Sequence, residues 1–272
     1  MSENDGRGSV ARSPLSDPRA ALEADGRWAP WPTPVVIETT TSTMTEVADL
    51  AAAGAAEGTV VIAEEQTAGR GRVGRTWESP RSAGLWLSIL LRPEKSASAL
   101  GWLPLLTGVA AVNALQPLTD THLRLKWPND IVVDEGSHLA KVGGILAERL
   151  ADGAVIVGIG IDVDQTASEL PQGGTSLRIL GSHASREQAL VALLGAFAAA
   201  YRAWAVGSSV TQDYEALCIT LGSVVRVQRA DGALVGRASG LGPNGELLVA
   251  DDAGATHTVS AGDVLLLRPA IE

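Results

Sequence analysis

The chain has 272 residues, with 31 acidic against 21 basic side chains and a formal net charge of −10. So acidic a chain is a poor non-specific partner for nucleic acid, because neutralising phosphates needs an excess of Lys and Arg. A single cysteine, Cys218, excludes an intrachain disulfide, which fits a reducing cytoplasm. The polar N-terminus lacks the apolar core of a signal peptide, and no run of about 18 apolar residues predicts a membrane span.

Residues 1–30 are rich in Ser, Asp, Gly, Arg and Pro and show little periodicity, so they are expected to be largely disordered. VVIE (35–38) reads as a short strand. Thr41, Ser42 and Thr43 offer N-cap hydroxyls for a helix through MTEVADLAAAGA, with Glu46 as capping-box partner of Thr43. TVVIAEEQ (59–66) is a β-branched strand, residues 67–80 form a glycine-rich loop, and GLWLSILLRP is a buried strand ended by Pro93. Residues 98–116 read as a core helix, and strands LRLKW and IVVD flank Pro128. KVGGILAERL and AVIVGIGIDV predict a hairpin around Asp152-Gly153, followed by helices over 186–206 and 210–220. Cys218 falls in an apolar, helix-like stretch and reads as a buried thiol. Near Gly222 the pattern changes to short strands separated by DG, NG and AG turns, which predicts a small β-barrel. The chain therefore divides into a tail (1–30), a larger α+β unit (31–220) and a small barrel (221–272).

The glycine-rich loop carries the chemistry. Gly69, Gly71 and Gly74 satisfy a dinucleotide fingerprint, but that motif needs a helix to open at the glycines, and TWESPRSAG followed by a strand pattern offers none. No G-K-[ST] follows, so a P-loop is excluded as well. Arg70, Arg72 and Arg75 alternate with the glycines, and no acidic residue lies between Glu65 and Glu78. Glycines let backbone N–H groups approach a ligand, and guanidinium forks bind carboxylate and phosphate oxygens. Such a loop suits a reaction that brings a carboxylate against a triphosphate. His122, His138, His183 and His257 are scattered without metal-ligand spacing.

GRGRVGRTW (69–77), LKWPNDIVV (125–133), KVGGILAE (141–148) and VGIGIDV (157–163) occur in that order. The set resembles the biotin–protein ligase family, over roughly residues 35–268. The resemblance implies a mixed-sheet, class II synthetase-like α+β catalytic domain with a C-terminal SH3-like barrel, and a form without an N-terminal winged-helix domain. It implies ATP and Mg²⁺ as requirements, biotin as substrate, and a biotin carboxyl carrier protein or domain as partner. It further implies a cytoplasmic monomer or weak homodimer that uses no nucleic acid and no membrane.

Carried over by motif, Ser42, Thr43 and Met44 with Gln66 would contact biotin, and Arg70, Gly71 and Arg72 would close over its carboxylate and the phosphate. Trp77 would wall the intermediate; Gly84, Trp86, Gly143 and Gly144 would shape the floor; Lys141 would meet the carboxylate and α-phosphate, with Arg70 assisting. Arg72, Arg75, Trp77, Lys126, Asn129 and Asp162 would serve the nucleotide, and Asp130 a metal. Two positions depart from the family pattern: Met44 stands at the usual Asn of S-T-N, and Asp162 at the Asn of G-I-N-V. Asp162 would either ligate a cation or accept from the adenine amino group. No protein nucleophile is implied, since the biotin carboxylate itself attacks. The barrel would cover the nucleotide end, with Arg226, Arg229 and Arg237 facing an acidic carrier. The competing readings are a lipoate- or octanoate-handling relative, a DNA-binding repressor, and a non-catalytic carrier-binding adaptor.

Overall fold

The computed structural model describes residues 12–15, 17–229, 232–260 and 262–267, with Arg229 through its backbone only. Seven strands form one mixed sheet: β1 (Val35–Thr40), β2 (Val60–Gln66), β3 (Gly84–Leu91), β4 (Leu123–Lys126), β5 (Asp130–Asp134), β6 (Leu139–Arg149) and β7 (Val155–Asp162). Their order is β1-β2-β3-β7-β6-β5-β4. β1 and β2 run parallel, joined by α2 (Thr43–Ala52), and the remaining neighbours are antiparallel. The predicted β6–β7 hairpin forms in register, from Gly143↔Ile161 to Arg149↔Val155.

The central strands are buried on both faces, and their period of two sorts side chains between two cores. Leu85, Leu87, Ile89 and Leu91 of β3 join Val155, Val157, Ile159 and Ile161 of β7 in the larger core. That core also takes α3 (Trp102–Leu115) and α4 (Arg186–Ala205). The alternate positions Leu90 and Ile156 turn to the opposite face, where Met44, Val47 and Ala51 of α2 cover them. Gly84, Trp86 and Ser88 on β3 and Gly158, Gly160 and Asp162 on β7 share that second face. The functional site forms there.

The segments Ala97–Leu118 and Arg186–Ala205 are long and apolar enough to cross a membrane by composition. Here α3 and α4 pack on each other and on the sheet, which accounts for their apolar content. α4 opens with a capping box in which Ser185 accepts from the Gln188 N–H and Gln188 accepts from that of Ser185. The box expected at α2 does not form. Ser42 is the N-cap without a side-chain bond, and the Glu46 carboxylate accepts from the Thr40 hydroxyl at 2.5 Å instead. Cys218 is buried, just beyond α5 (Thr211–Leu217), bridging to Leu125 on β4.

The expected disorder over 1–30 does not describe residues 12–15 and 17–30; residues 1–11 and 16 lie outside the described residues. α1 (Arg19–Asp25) forms, Leu22 and Trp28 are buried, and Arg202 of α4 donates to the Trp28 and Ala29 carbonyls. Widely spaced apolar anchors in a polar stretch leave no periodicity to read, yet each finds a place on the larger core.

The C-terminal strands β8 (Val224–Arg229), β9 (Gly232–Leu241), β10 (Leu247–Ala250), β11 (Thr256–Val259) and β12 (Asp263–Leu266) make an antiparallel sheet in the order β11-β10-β9-β8-β12. It seats on the larger unit through two indoles. Trp102 donates to the Pro243 carbonyl at 2.9 Å, and Trp127 to the Gly245 carbonyl at 3.0 Å.

Candidate active site

On the α2 face a cavity opens between β3, β7, β6, the N-terminus of α2 and the loop 67–80. Glycines make the room. Trp86 on β3 pairs with Gly160 on β7, which pairs with Gly144 on β6; Ser88 pairs with Gly158, which pairs with Leu146. The Trp77 indole lies over this row, so that a Cβ at Gly160 would stand 2.6 Å from it and one at Gly144 3.0 Å. A Cβ at Gly158 would meet the Met44 sulfur at 3.0 Å. Trp86 supports Trp77 from below, with ring centroids 6.3 Å apart and an edge-to-face tilt.

One end of the cavity is neutral and polar. The Gln66 carbonyl oxygen accepts from the Thr43 N–H at 2.9 Å and its hydroxyl at 3.1 Å, while the Gln66 amide donates to Ser79 at 2.8 Å. The Thr43 and Ser88 hydroxyls share a 2.8 Å bond. Ser42, Thr43 and Ser88 are buried, so these groups present fixed donors and acceptors to whatever enters.

The other end is cationic. The Lys141 ammonium sits 2.5 Å from Asp130 Oδ1 and 5.1 Å from the centre of the Trp77 ring. Lys126 approaches the other Asp130 oxygen at 3.7 Å. Arg72 donates to Asn129 Oδ1 at 3.2 Å, and Asn129 in turn donates to the Ile145 carbonyl at 2.8 Å. Burial pulls the Arg72 guanidinium below its ordinary pKa, and the charges of Asp263 and Asp130 oppose that shift. Arg70 pairs with Glu148 at 3.1 Å, and Arg75 pairs with Asp263 on β12. The loop enters a short 3-10 turn at Arg72–Gly74 and no α-helix, which removes the dinucleotide reading.

Of the residues expected at the site, Ser42, Thr43, Met44, Gln66, Arg70, Gly71, Arg72, Trp77, Asn129, Lys141 and Gly144 line this cavity. A second cavity adjoins it between the loop, residues 126–130 and β12, and is lined by Arg72, Arg75, Lys126, Asn129, Asp130 and Lys141 among others. Gly84, Trp86, Gly143 and Asp162 line neither. Gly84 and Gly143 serve packing, since a Cβ on either would run into β7 backbone, at Ile161 and Gly160 respectively. Asp162 is buried at the end of β7 and accepts from the Gln165 amide at 2.5 Å. Burial pushes its carboxyl up to about 8, against the opposing pull of Lys141 and Gln165.

Two family models match the chain: the Biotin/lipoate A/B protein ligase family over residues 36–164 and the Biotin protein ligase C terminal domain over residues 220–267. The biotin–[acetyl-CoA-carboxylase] ligase of Mycobacterium tuberculosis is 37% identical over 265 residues, spanning 94% of this chain and 97% of the relative. The chain belongs to the biotin protein ligase family.

This ligase is also 32% identical to the bifunctional ligase/repressor BirA of Bacillus subtilis over 231 residues, 81% of the chain and 70% of that protein. Among solved structures it is similar to the biotin protein ligase from Aquifex aeolicus in complex with biotin and ATP. The TM-score is 0.74 at 30% identity, covering 87% of this chain and 99% of the other.

Several lining residues escaped the sequence reading: Leu87, Ser88, Ile145, Leu146, Gly158 and Gly160. Two left a signal. Ser88 is a lone hydroxyl in an apolar run, and Gly158 and Gly160 share one strand face where side chains would normally pack. Glu148, the partner of Arg70, left none, because the pairing depends on how the loop lies over β6.

Proposed function

We propose that this ligase activates biotin with ATP and then transfers the biotinyl group to a lysine of a biotin carboxyl carrier protein or domain. The observation that carries this reading is a single cavity with a neutral, hydrogen-bonding end at Thr43, Gln66 and Ser88 and a cationic end at Lys141, Arg70 and Arg72. The neutral end suits the ureido ring, the glycine-and-indole slot suits the thiophane and aliphatic chain, and the cationic end suits the carboxylate.

In the first step a biotin carboxylate oxygen bonds to the α-phosphorus of ATP while the bond to pyrophosphate breaks. Two anions must meet, so the protein's task is to hold them together and offset their repulsion. Lys141 lies at the junction of the two cavities and takes the α-phosphate and carboxylate; Arg70 and Arg72 assist from the loop. Arg75 and Lys126 face the phosphates in the adjoining cavity, and Asn129 fixes Arg72. The mixed anhydride hydrolyses readily, and Trp77 with the loop keeps water off it. In the second step the carrier's lysine amine attacks the acyl carbon and AMP leaves.

The donor set does not fit a resident metal. Among the described residues no three His, Cys, Asp or Glu side chains gather as ligands, and Asp130 already lies between two ammonium groups. Mg²⁺ belongs instead with the phosphates of the incoming nucleotide. Arg226 and Arg237, exposed on β8 and β9, offer the carrier a cationic surface. The test is mass spectrometry of the purified chain incubated with biotin and ATP and then with a carrier domain. Biotinyl-5′-AMP followed by a biotinylated carrier supports the reading; a carrier labelled only from lipoate or octanoate refutes it.

A further inference from the structure

Lys141 lies where β6 has run out of neighbour on one side. β7 ends at Asp162, and its ladder with β6 stops at Gly143↔Ile161. On the other side the pairing of β5 with β6 slips between Ile131 and Val132, next to Lys141. The edge left open at Lys141 is taken by the loop between β7 and α4. The Lys141 N–H donates to the Gly173 carbonyl at 2.8 Å, and the Lys141 carbonyl accepts from the Thr175 N–H at 2.8 Å. The backbone under the ammonium group is therefore set by a loop.

That loop is fixed at two places. Its far end returns to β7, with the Leu177 and Arg178 N–H groups donating to the Asp162 and Val163 carbonyls. Its near end is held by the Asp164 N–H, which donates to the Ala83 carbonyl at 2.6 Å, and by a residue some 150 positions earlier in the chain. Arg12 forks onto Glu169, Nη1 to Oε1 at 2.9 Å and Nη2 to Oε2 at 2.6 Å, and Nη2 also donates to the Asp164 carbonyl at 2.8 Å. Glu169 accepts in turn from the Thr166 N–H and hydroxyl, both at 2.8 Å. The fork holds the Glu169 carboxyl down at about 2. Arg12 is only 10% exposed. Its own chain is anchored by Leu15, whose N–H donates to Glu64 at 2.7 Å. Glu64 is in a buried pair with Arg186, which also donates to the Gly84 carbonyl, opposite Asp162.

We infer that Arg12–Leu15 is a strap that places the reaction lysine, with Arg12 as a positioning residue acting through Glu169 and the 164–175 segment on the backbone of Lys141. The inference rests on the assignment of Lys141 to the reaction. The fork is the operative feature, because a guanidinium can span both Glu169 oxygens and the Asp164 carbonyl, whereas a lysine at the same place keeps the charge and loses the span.

The experiment uses the full chain and its Arg12→Ala and Arg12→Lys variants. Amide hydrogen exchange is followed in peptides covering 139–147 and 164–177. In Arg12→Ala we expect exchange there to quicken about tenfold or more, as for loss of a charge-assisted bidentate bond, with Arg12→Lys between it and wild type and β1–β3 unchanged. Biotin-dependent ATP–pyrophosphate exchange, run well below each variant's unfolding temperature, should lose about tenfold in kcat while KM for biotin stays within about twofold, since Thr43 and Gln66 lie on other elements. A merely structural role would quicken exchange across the whole sheet and leave kcat per folded molecule intact; that result, or unchanged exchange in the two peptides, overturns the inference. If the wild type itself shows no biotin-dependent activity, the assignment of function fails while the exchange data still decide whether the strap holds the loop.

Discussion

Strands β3, β6 and β7 and the loop 67–80 enclose the same cavity but are held by different forces. The strands present Leu85, Leu87, Ile89, Val157, Ile159 and Ile161 to the larger core, each almost fully buried and each worth about 1.5–3 kcal/mol. The exposed arginines of the loop, Arg70 and Arg75, are held by ion pairs at the surface, while Trp77 at its far end packs on Trp86. Arg70 and Glu148 are each about two-fifths exposed, and Arg75 and Asp263 more so; such pairs contribute about 0–1 kcal/mol. At its tip Val73, a β-branched residue, takes a left-handed φ of 55° and is 78% exposed, which costs on the order of 1–3 kcal/mol. The floor is thus rigid, while the cover can lift at little cost. An enzyme that makes a water-sensitive intermediate and must then admit a second protein requires both.

The floor is where damage should be greatest. Lys141→Ala removes the charge at the junction of the cavities, and adenylation should fall by about two orders of magnitude or more. Thermal unfolding should stay close to wild type, because the ammonium group is not part of the core. A folded variant that keeps near-normal ATP–pyrophosphate exchange would remove Lys141 from the reaction.

Next comes Gly160→Val, which forces the floor against Trp77, 2.6 Å from the added Cβ. Overpacking of this kind costs about 1–3 kcal/mol, so biotin affinity measured by calorimetry should drop roughly ten- to a hundredfold. Gly158→Ala should be milder, because its neighbour is the flexible end of Met44. Equal losses at the two positions would show that the indole does not set the width of the slot.

Asp162 tests the floor by charge. Its carboxyl is raised to about 8 by burial, with Lys141 and Gln165 pulling it down and Glu78 pushing it up. The native state thus holds a proton that the unfolded chain releases near 3.8. Stability supplied by this group is present below that value and is lost as pH rises towards 8. Between pH 5 and 8 the unfolding free energy of wild type relative to Asp162→Asn should decline by up to about 1.4 kcal/mol per pH unit. A flat difference across that range would mean that the carboxylate is already charged.

Much of this arrangement could be read before the fold was known, and the rest follows a physical pattern. Runs such as VVIAEEQ and VIVGIGID announce strands through β-branched composition, and Asp152-Gly153 announces the turn between β6 and β7. The arginines of the loop stand out against a chain of net charge −10. What stayed hidden depends on register between distant segments: the Arg70–Glu148 pair, the hold of Arg12 on Glu169, and the loop that brackets Lys141. Gly84 and Trp86 were expected to shape the floor; Trp86 does so from beneath Trp77 and Gly84 from against Ile161, one layer below the cavity lining, because a motif names a residue without fixing which layer it occupies. Glu46 was expected to cap α2, but the Thr40 hydroxyl at the end of β1 claims its carboxylate.

The cover should show the smallest effect on binding and the clearest effect on retention. Arg70→Gly removes the exposed pair with Glu148 and leaves the floor intact. Biotin affinity should change by less than about threefold, in keeping with the small worth of a surface pair. The off-rate of pre-formed biotinyl-5′-AMP, followed by filter binding, should rise about tenfold, because a guanidinium facing the anhydride phosphate is lost. An unchanged off-rate would show that Arg70 is not part of the clamp.

Whether one cavity, with fixed strands below and an arginine loop above, joins a biotin carboxylate to the α-phosphate of ATP is decided most directly by ATP–pyrophosphate exchange with the purified chain, run with biotin, with lipoate, with octanoate and with no acid added. Exchange should appear with biotin and be lost in Lys141→Ala. Exchange supported equally by lipoate or octanoate, or by no acid at all, would overturn the assignment of this cavity to biotin.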